Sequence, residues 1–307
     1  MNKSVKTQRD LLYQIFSRQQ WIRRASSLPS CDFSKKQWSD INNQCFSLSE
    51  QEIKEVYLPC AWLLLQRYRH AQGQQLAGPL TIGITGSVAV GKTTLAALLR
   101  CLLSCLDQTI AVAVLSTDDF LYSNKTLEAK GLEHRKGFPD SYDMPAMLDF
   151  LTALKAGDGD LSTPMYSHES YDIVEGQRRI IDQPDIVIME GLNALSVTPD
   201  DCCEEGLAQP HGFVDFGIFI AADMTHVENW FISRAEQLAR TAFVQPDAYF
   251  HALSLMYPEQ LRDYLTRVWR DINLENYEQH IVSSRDQAHL IIEKGVDHSV
   301  GRLWLRE

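Results

Sequence analysis

The chain has 307 residues, of which 45% are hydrophobic and 22% charged, and it carries a net charge of −11. That length and apolar content can close a full core in one large or two small domains. The acidic balance argues against nucleic acid and anionic membranes as main partners, because both reward a basic surface. No apolar run reaches the roughly eighteen residues a spanning helix needs. The first residues (MNKSVKTQRDLLYQIF) lack a signal-type apolar core, so a cytoplasmic location is expected. The seven cysteines form no C-x-x-C pair, and Cys101 with Cys105 reads as helix packing rather than a metal pair.

Residues 1 to about 50 are polar and irregular, punctuated by Trp21, Phe33, Trp38 and Phe46. Ser49, three residues before Glu52, has the spacing of a capping box and predicts a helix start. The helix is expected to run through VYLPCAWLLLQRYRHA, kinked or restarted at Pro59, and to break between Gly73 and Pro79. Leu80 to Thr85 then reads as a buried strand, and Thr94 to Leu106 as a mostly apolar helix.

Between them stands Gly86-Ser87-Val88-Ala89-Val90-Gly91-Lys92-Thr93, which fits the phosphate-binding pattern G-x-x-x-x-G-K-[ST]. Its glycines allow the backbone to curl so that successive N–H groups face phosphate oxygens. Lys92 is placed to reach the β- and γ-phosphates and the Thr93 hydroxyl to ligate Mg²⁺, with Thr94 completing the nucleotide-binding set. Strand, loop and helix in this order are the context the pattern requires.

The next strand, Ile110 to Ser116, runs directly into Thr117-Asp118-Asp119-Phe120. In open α/β sheets ligands lie at the carboxyl ends of strands. One of these two aspartates can therefore take the proton of an attacking hydroxyl, unless both only cap the next segment. Residues 121 to 142 read as a loop whose basic run includes Arg135 and Lys136, a candidate phosphate lid. A helix over Asp143 to Ala156 follows, ended by Gly157. Pro164 to Asp172 gathers Tyr166, His168 and Tyr171, residue types suited to a polar small molecule.

Asp185 to Glu190 is a continuous apolar strand ending in an acidic residue placed to hold Mg²⁺ or its water. Further strands are expected at Phe213 to Ile220 and Ala288 to Glu293, with helices over Thr225 to Thr241 and Pro258 to Tyr277. The fold class is therefore α/β, a doubly wound, mostly parallel sheet of at least five strands with flanking helices. Residues 1–78 are expected to be a helical region packed on the core domain, 79–307. A GTPase would need a guanine-reading N-K-x-D after a late strand, and Asn124-Lys125-Thr126-Leu127 lacks the Asp. A transporter ATPase would end its strand in Asp-Glu rather than Met-Glu-Gly. A small-molecule kinase remains, with ATP and Mg²⁺.

GSVAVGKTT, STDDF, KGFPDSYDMP, PMYSH-x-x-YD, QPDIVIMEGLN and PDAYFH, in that order, resemble the bacterial type I pantothenate kinases from about residue 50 to 307. Ser17-Arg18-Gln19-Gln20-Trp21 resembles an opening patch of the same family. The resemblance implies ATP-dependent phosphorylation of pantothenate, the first step toward coenzyme A, in a homodimer. It implies Asp118 as base, Glu190 beside the metal and Arg234 on the transferring phosphate. Arg135 and Lys136 fall in the lid, and Tyr166, His168, Tyr171, Phe243 and Phe250 in the acceptor pocket.

The departures also cluster in that pocket. Phe231 stands where the family has a tyrosine, His280 where it has an asparagine, and Ala235 and Leu238 where it has phenylalanines. Ala97 replaces an arginine that helps bind the feedback inhibitor coenzyme A, and the Arg69–Pro79 segment is short. A pantothenate kinase with a repacked pocket is thus expected. The alternatives are a relative acting on another small alcohol and a nucleotide-binding regulator without turnover.

Overall fold

The computed structural model describes residues 12–24, 28, 48–74, 77–197 and 209–306. The aromatic positions Phe33, Trp38 and Phe46, like Cys31, Cys45, Cys202 and Cys203, lie outside them. Strand β1 (Gln14–Ser17) and helix α1 (Arg18–Arg24) precede a helical run that begins at Glu50, passes through one π-helical stretch (Ile53–Tyr57) and continues as α2 (Leu58–Gln72). Pro59 sits at the start of α2, where a missing N–H costs nothing, so it restarts the helix without breaking the run. Ser49 Oγ accepts from Glu52 N at 3.1 Å, as the spacing predicts. The reciprocal half of the capping box is not made: the Glu52 carboxylate is buried and accepts from Val300 N at 2.7 Å, tying the helix to the far edge of the sheet.

The core sheet alternates with helices. It contains β2 (Leu80–Gly86), α3 (Lys92–Leu106), β3 (Val112–Ser116), α4 (Asn124–Lys130), α5 (Met144–Ala156), β6 (Ile186–Glu190), β7 (Phe216–Ala222), α6 (Met224–Ala239), α7 (His251–Ser254), α8 (Pro258–Val268), β8 (Leu290–Lys294) and β9 (Val300–Leu305). Between α5 and β6 a separate antiparallel pair, β4 (Leu161–Ser167) and β5 (Asp172–Ile181), stands off the sheet. The main sheet has seven strands in the order β1-β9-β8-β7-β2-β6-β3. The five expected strands are its parallel centre, β3-β6-β2-β7-β8. Two further strands, β9 and β1, extend one edge antiparallel.

Every residue of β2 and of β6 is buried, which accounts for their unbroken apolar character. One core cluster joins Trp21, Tyr57 and Leu64 from the N-terminal segment to Ile82, Leu98 and Ile218 of the sheet layer. The N-terminal segment thus adds a strand to the sheet as well as helices to its face. Among the described residues no helix is long and apolar enough to cross a membrane.

Two segments depart from the expected course. Residues 121–142 contain helix α4, capped by Ser123 Oγ on Thr126 N and ended by Gly131 at φ 67°. The Tyr166–His168–Tyr171 group is carried by the β4–β5 hairpin and the turn between its strands.

Candidate active site

The order β3-β6-β2-β7-β8 reverses direction at β2, so a crevice opens at the carboxyl ends of β2, β3 and β6. Gly86 to Gly91 lie there. Ala89 (φ 60°) and Gly91 (φ 94°) adopt left-handed backbone, the alternation that turns successive amides into an anion-binding nest. At Gly86 a Cβ would come within 2.5 Å of Ile220 O, so the loop fits against β7 only because that side chain is absent. Lys92 lies at the start of α3, its Nζ donating to Gly86 O (3.1 Å) and Ser87 O (2.8 Å) across the loop. Burial holds its pKa below the ordinary lysine value, opposed by the nearby Glu190 and Asp118 carboxylates, while Arg234 adds to the lowering.

Thr93 Oγ1 donates to Glu190 Oε1 at 3.1 Å, joining the loop to the end of β6. Burial and the neighbouring Asp118 raise the pKa of Glu190, and Lys92 opposes the rise. Gly191 follows at φ 149°, with Thr117 packed so closely that any Cβ would overlap its side chain. That approach brings the end of β6 against the turn after β3. Among the described residues no three His, Cys, Asp or Glu side chains cluster as a metal cage. One carboxylate and one hydroxyl beside a phosphate loop nevertheless fit Mg²⁺, which is usually held by one or two protein oxygens together with substrate phosphates and water.

The two aspartates after β3 part ways. Asp119 is buried and structural: it accepts from Tyr166 N (3.0 Å), Thr163 Oγ1 (3.3 Å) and Arg179 Nε (3.3 Å), holding the β4–β5 hairpin over the sheet. Asp118 is half-buried and faces the crevice, close enough in charge to act on Lys92, Glu190, Lys136, Tyr166 and Tyr171.

An aromatic wall continues from it. Tyr166 packs edge-on against His168 (5.2 Å) and Tyr171 (6.2 Å), and Tyr171 against Phe250 (4.7 Å), which meets Phe243 (5.2 Å). Lys136 is planted in this wall. Its Nζ donates to Asn124 Oδ1 (2.6 Å) and Tyr171 O (2.5 Å) and lies 4.1 Å from the Tyr171 ring centre. Burial pulls its pKa down to about 8, with Asp172 and Asp118 opposing.

Arg135, its neighbour in sequence, turns elsewhere, to an ion pair with Asp140 (2.6 Å) and the face of Phe138 (4.3 Å). The two residues expected in a lid thus occupy different environments. His280 meets the Phe138 ring at 5.9 Å, and its buried Nε2 has no hydrogen-bond partner among the described residues; burial, then Arg135, lowers its pKa. Phe231 packs against Trp269 at 5.9 Å, and with Ala235 it packs on the buried cluster around Ile232, Leu253 and Leu261 that Phe243 and Phe250 also cover.

Two cavities flank the loop. One of about 130 Å³ is lined by Gly91, Thr94, Arg234, Lys294 and His298. Lys294, absent from the sequence reading, donates to Val90 O at 2.9 Å, and burial pulls its pKa to about 8. Its only signal was position: a lysine at the carboxyl end of the last parallel strand. The other cavity, about 470 Å³, runs under the hairpin past Thr93, Ala97, Arg100, His168 and Glu190.

The family model for phosphoribulokinase and uridine kinase matches residues 81–237, from β2 into α6. A pantothenate kinase of Coxiella burnetii (strain RSA 493 / Nine Mile phase I) is 39% identical over 306 residues, covering 96% of each chain. A pantothenate kinase of Photorhabdus laumondii subsp. laumondii is 37% identical over 316 residues, again covering 96% of each. Among solved structures, a D-glycerate 3-kinase from Cryptococcus neoformans var. grubii superposes with a TM-score of 0.56 at 16% identity, covering 80% of this chain and 98% of that one. The YGR205w protein gives 0.55 at 16% identity, covering 82% and 99%. At such identity these two likenesses establish the fold, that of a P-loop kinase. With relatives of that kind matched along nearly its whole length, the chain belongs to the pantothenate kinase family.

Proposed function

We propose that this chain transfers the γ-phosphoryl group of ATP to the primary hydroxyl of pantothenate, giving 4′-phosphopantothenate and ADP. The observation that carries the reading is the position of Asp118. Its carboxylate lies between the phosphate loop, with Lys92 and Glu190, and the tyrosine wall of Tyr166 and Tyr171. The loop amides and Lys92 hold the phosphates, and Arg234 supplies further positive charge on the same side. Thr93 and Glu190 would hold Mg²⁺, which supplies neutralisation of phosphate charge when bound. The acceptor hydroxyl loses its proton to Asp118 as its oxygen bonds to the γ-phosphorus and the bond from that phosphorus to the ADP oxygen breaks. Tyr166, His168, Tyr171, Phe243 and Phe250 exclude water and position the acceptor, with Lys136 adding a cation at the same wall.

A second reading concerns the acceptor alone. Phe231 carries no hydroxyl and meets Trp269 at a tilt, and the His280 Nε2 has no partner among the described residues, so the pocket offers different polar groups from those the family resemblance implies. Another small alcohol of pantothenate-like shape would be the substrate. Ala97, in the cavity beneath the hairpin, lacks the charge that the resemblance assigns to coenzyme A binding, and weak feedback inhibition follows.

The test is ³¹P NMR of products formed from ATP with pantothenate and Mg²⁺, with and without coenzyme A. A saturable phosphomonoester signal with submillimolar KM, within the usual enzyme range of about 1 μM to 1 mM, supports the first reading. ATP binding without product moves the reading to another acceptor, to be sought among hydroxyl-bearing metabolites.

A further inference from the structure

The carboxylate of Asp118 has a single hydrogen-bond donor among the described residues. That donor is Tyr142, whose hydroxyl lies 3.1 Å from Oδ1. Tyr166 and Tyr171 are near enough to feel the charge, yet neither donates to it. Tyr142 is buried, and its ring packs in the core cluster with Leu121 and Met189.

The backbone on both sides is pinned. Leu121 and Tyr142 form an isolated antiparallel bridge, Tyr122 N donates to Ser141 O (2.9 Å) and Asp143 N to Phe120 O (2.8 Å). The main chain of Asp118 is held as well, its N donating to Ser116 Oγ at 3.2 Å. A flexible carboxylate can rotate, whereas one held at Oδ1 by a rigid donor presents Oδ2 in one direction.

We infer that Tyr142 is a positioning residue of the phosphoryl-transfer step: its hydroxyl holds Oδ1 of Asp118 so that Oδ2 takes the proton of the acceptor hydroxyl. The inference rests on Asp118 being the acceptor's base. It assigns a chemical reason to the tyrosine of the SYDMP segment, which otherwise reads as core packing. Tyr142 is buried and reaches the crevice through Asp118, so its loss is expected to act on kcat and to leave ATP binding alone.

The experiment is a double-mutant cycle on Tyr142→Phe and Asp118→Asn, measuring kcat, KM for ATP and thermal midpoint. Tyr142→Phe keeps the ring and is expected to lower kcat by about ten- to a hundredfold with KM for ATP within about twofold, the scale of a small misplacement at a reacting group. In the Asp118→Asn background the same change is expected to alter residual turnover by less than about twofold, because the pair acts as one unit. An undiminished effect in that background would mean that Tyr142 acts through the fold, and an unchanged kcat in the single variant would overturn the inference outright.

Near wild-type turnover of Asp118→Asn would instead remove the base assignment itself, which separates the two failures. Should Tyr142→Phe lose its fold, the wild-type protein labelled with ¹³C at tyrosine Cζ carries the test. Asp118→Asn must then shift the Tyr142 resonance more than those of Tyr166 and Tyr171, and an equal or absent shift would overturn the inference.

Discussion

The two halves of the crevice are built differently. The donor half is built around one contiguous stretch: loop, Lys92 and Thr93 follow one another in sequence, with Glu190 and Arg234 added from β6 and α6. The acceptor half is assembled from α4, the Arg135–Tyr142 segment, the β4–β5 hairpin, the region from α6 to α7 and the chain around His280, and works through side chains. A backbone nest tolerates changes at the intervening side chains. An assembled wall changes its chemistry with each substitution.

The comparison breaks most sharply at Lys92. Lys92→Ala is expected to lower kcat/KM by about a thousandfold, the upper range for removing one donor to transferring charge, with the acceptor pocket unaltered. Steady-state kinetics would show it, and a loss under tenfold would put the donor half elsewhere. Gly191→Ala tests the junction of the halves. A Cβ there meets Thr117 at a backbone φ of 149°, so stability should fall by about 2–4 kcal/mol. A thermal melt unchanged from wild type would mean that the β6 end and the β3 turn are not as tightly packed as described.

The acceptor half should respond in KM. Lys136, with a pKa of about 8, is an ammonium below that pH and neutral above it. Acceptor kcat/KM is expected to fall as pH rises through 8, and Lys136→Met should remove that limb while raising acceptor KM about tenfold. An ATP KM that rises in parallel would place Lys136 on the donor side. The smallest effects belong to Phe231→Tyr and His280→Asn. Each should change acceptor KM by about three- to tenfold, the scale of one neutral hydrogen bond. Improvement with pantothenate would sharpen the account of the pocket's departures, and no change in either would remove Phe231 and His280 from it.

What was legible in the chain follows the same division. β2 and β6 could be read because their complete burial leaves continuous apolar runs, and α3 because its buried Leu95, Leu98, Leu99 and Leu102 recur at helical spacing; Glu190 ends β6 and Lys92 opens α3. β1 and β9 escaped because they are short strands with exposed residues, QIFS at the edge and VGRLWL beside it, and no alternation long enough to register. The β5 strand escaped for a related reason: its central EGQRRI stretch is exposed, and the hairpin is held by the buried Asp119 rather than by an apolar face. Asp119 and Asp118 were indistinguishable by spacing alone, since only the hairpin, dozens of residues later, shows which of them is structural. Tyr142 and Lys294 reach the site through long-range contacts that no local pattern announces.

The most direct measurement is ATP affinity and pantothenate-dependent turnover of Asp118→Ala, determined side by side. With separable halves and Asp118 as the acceptor's base, ATP affinity should stay within about threefold of wild type while turnover falls by about a thousandfold or more, in the upper part of the range of about a hundred- to ten-thousandfold usual for losing a general base. Turnover near the wild-type level, or ATP affinity lost together with it, would contradict the account.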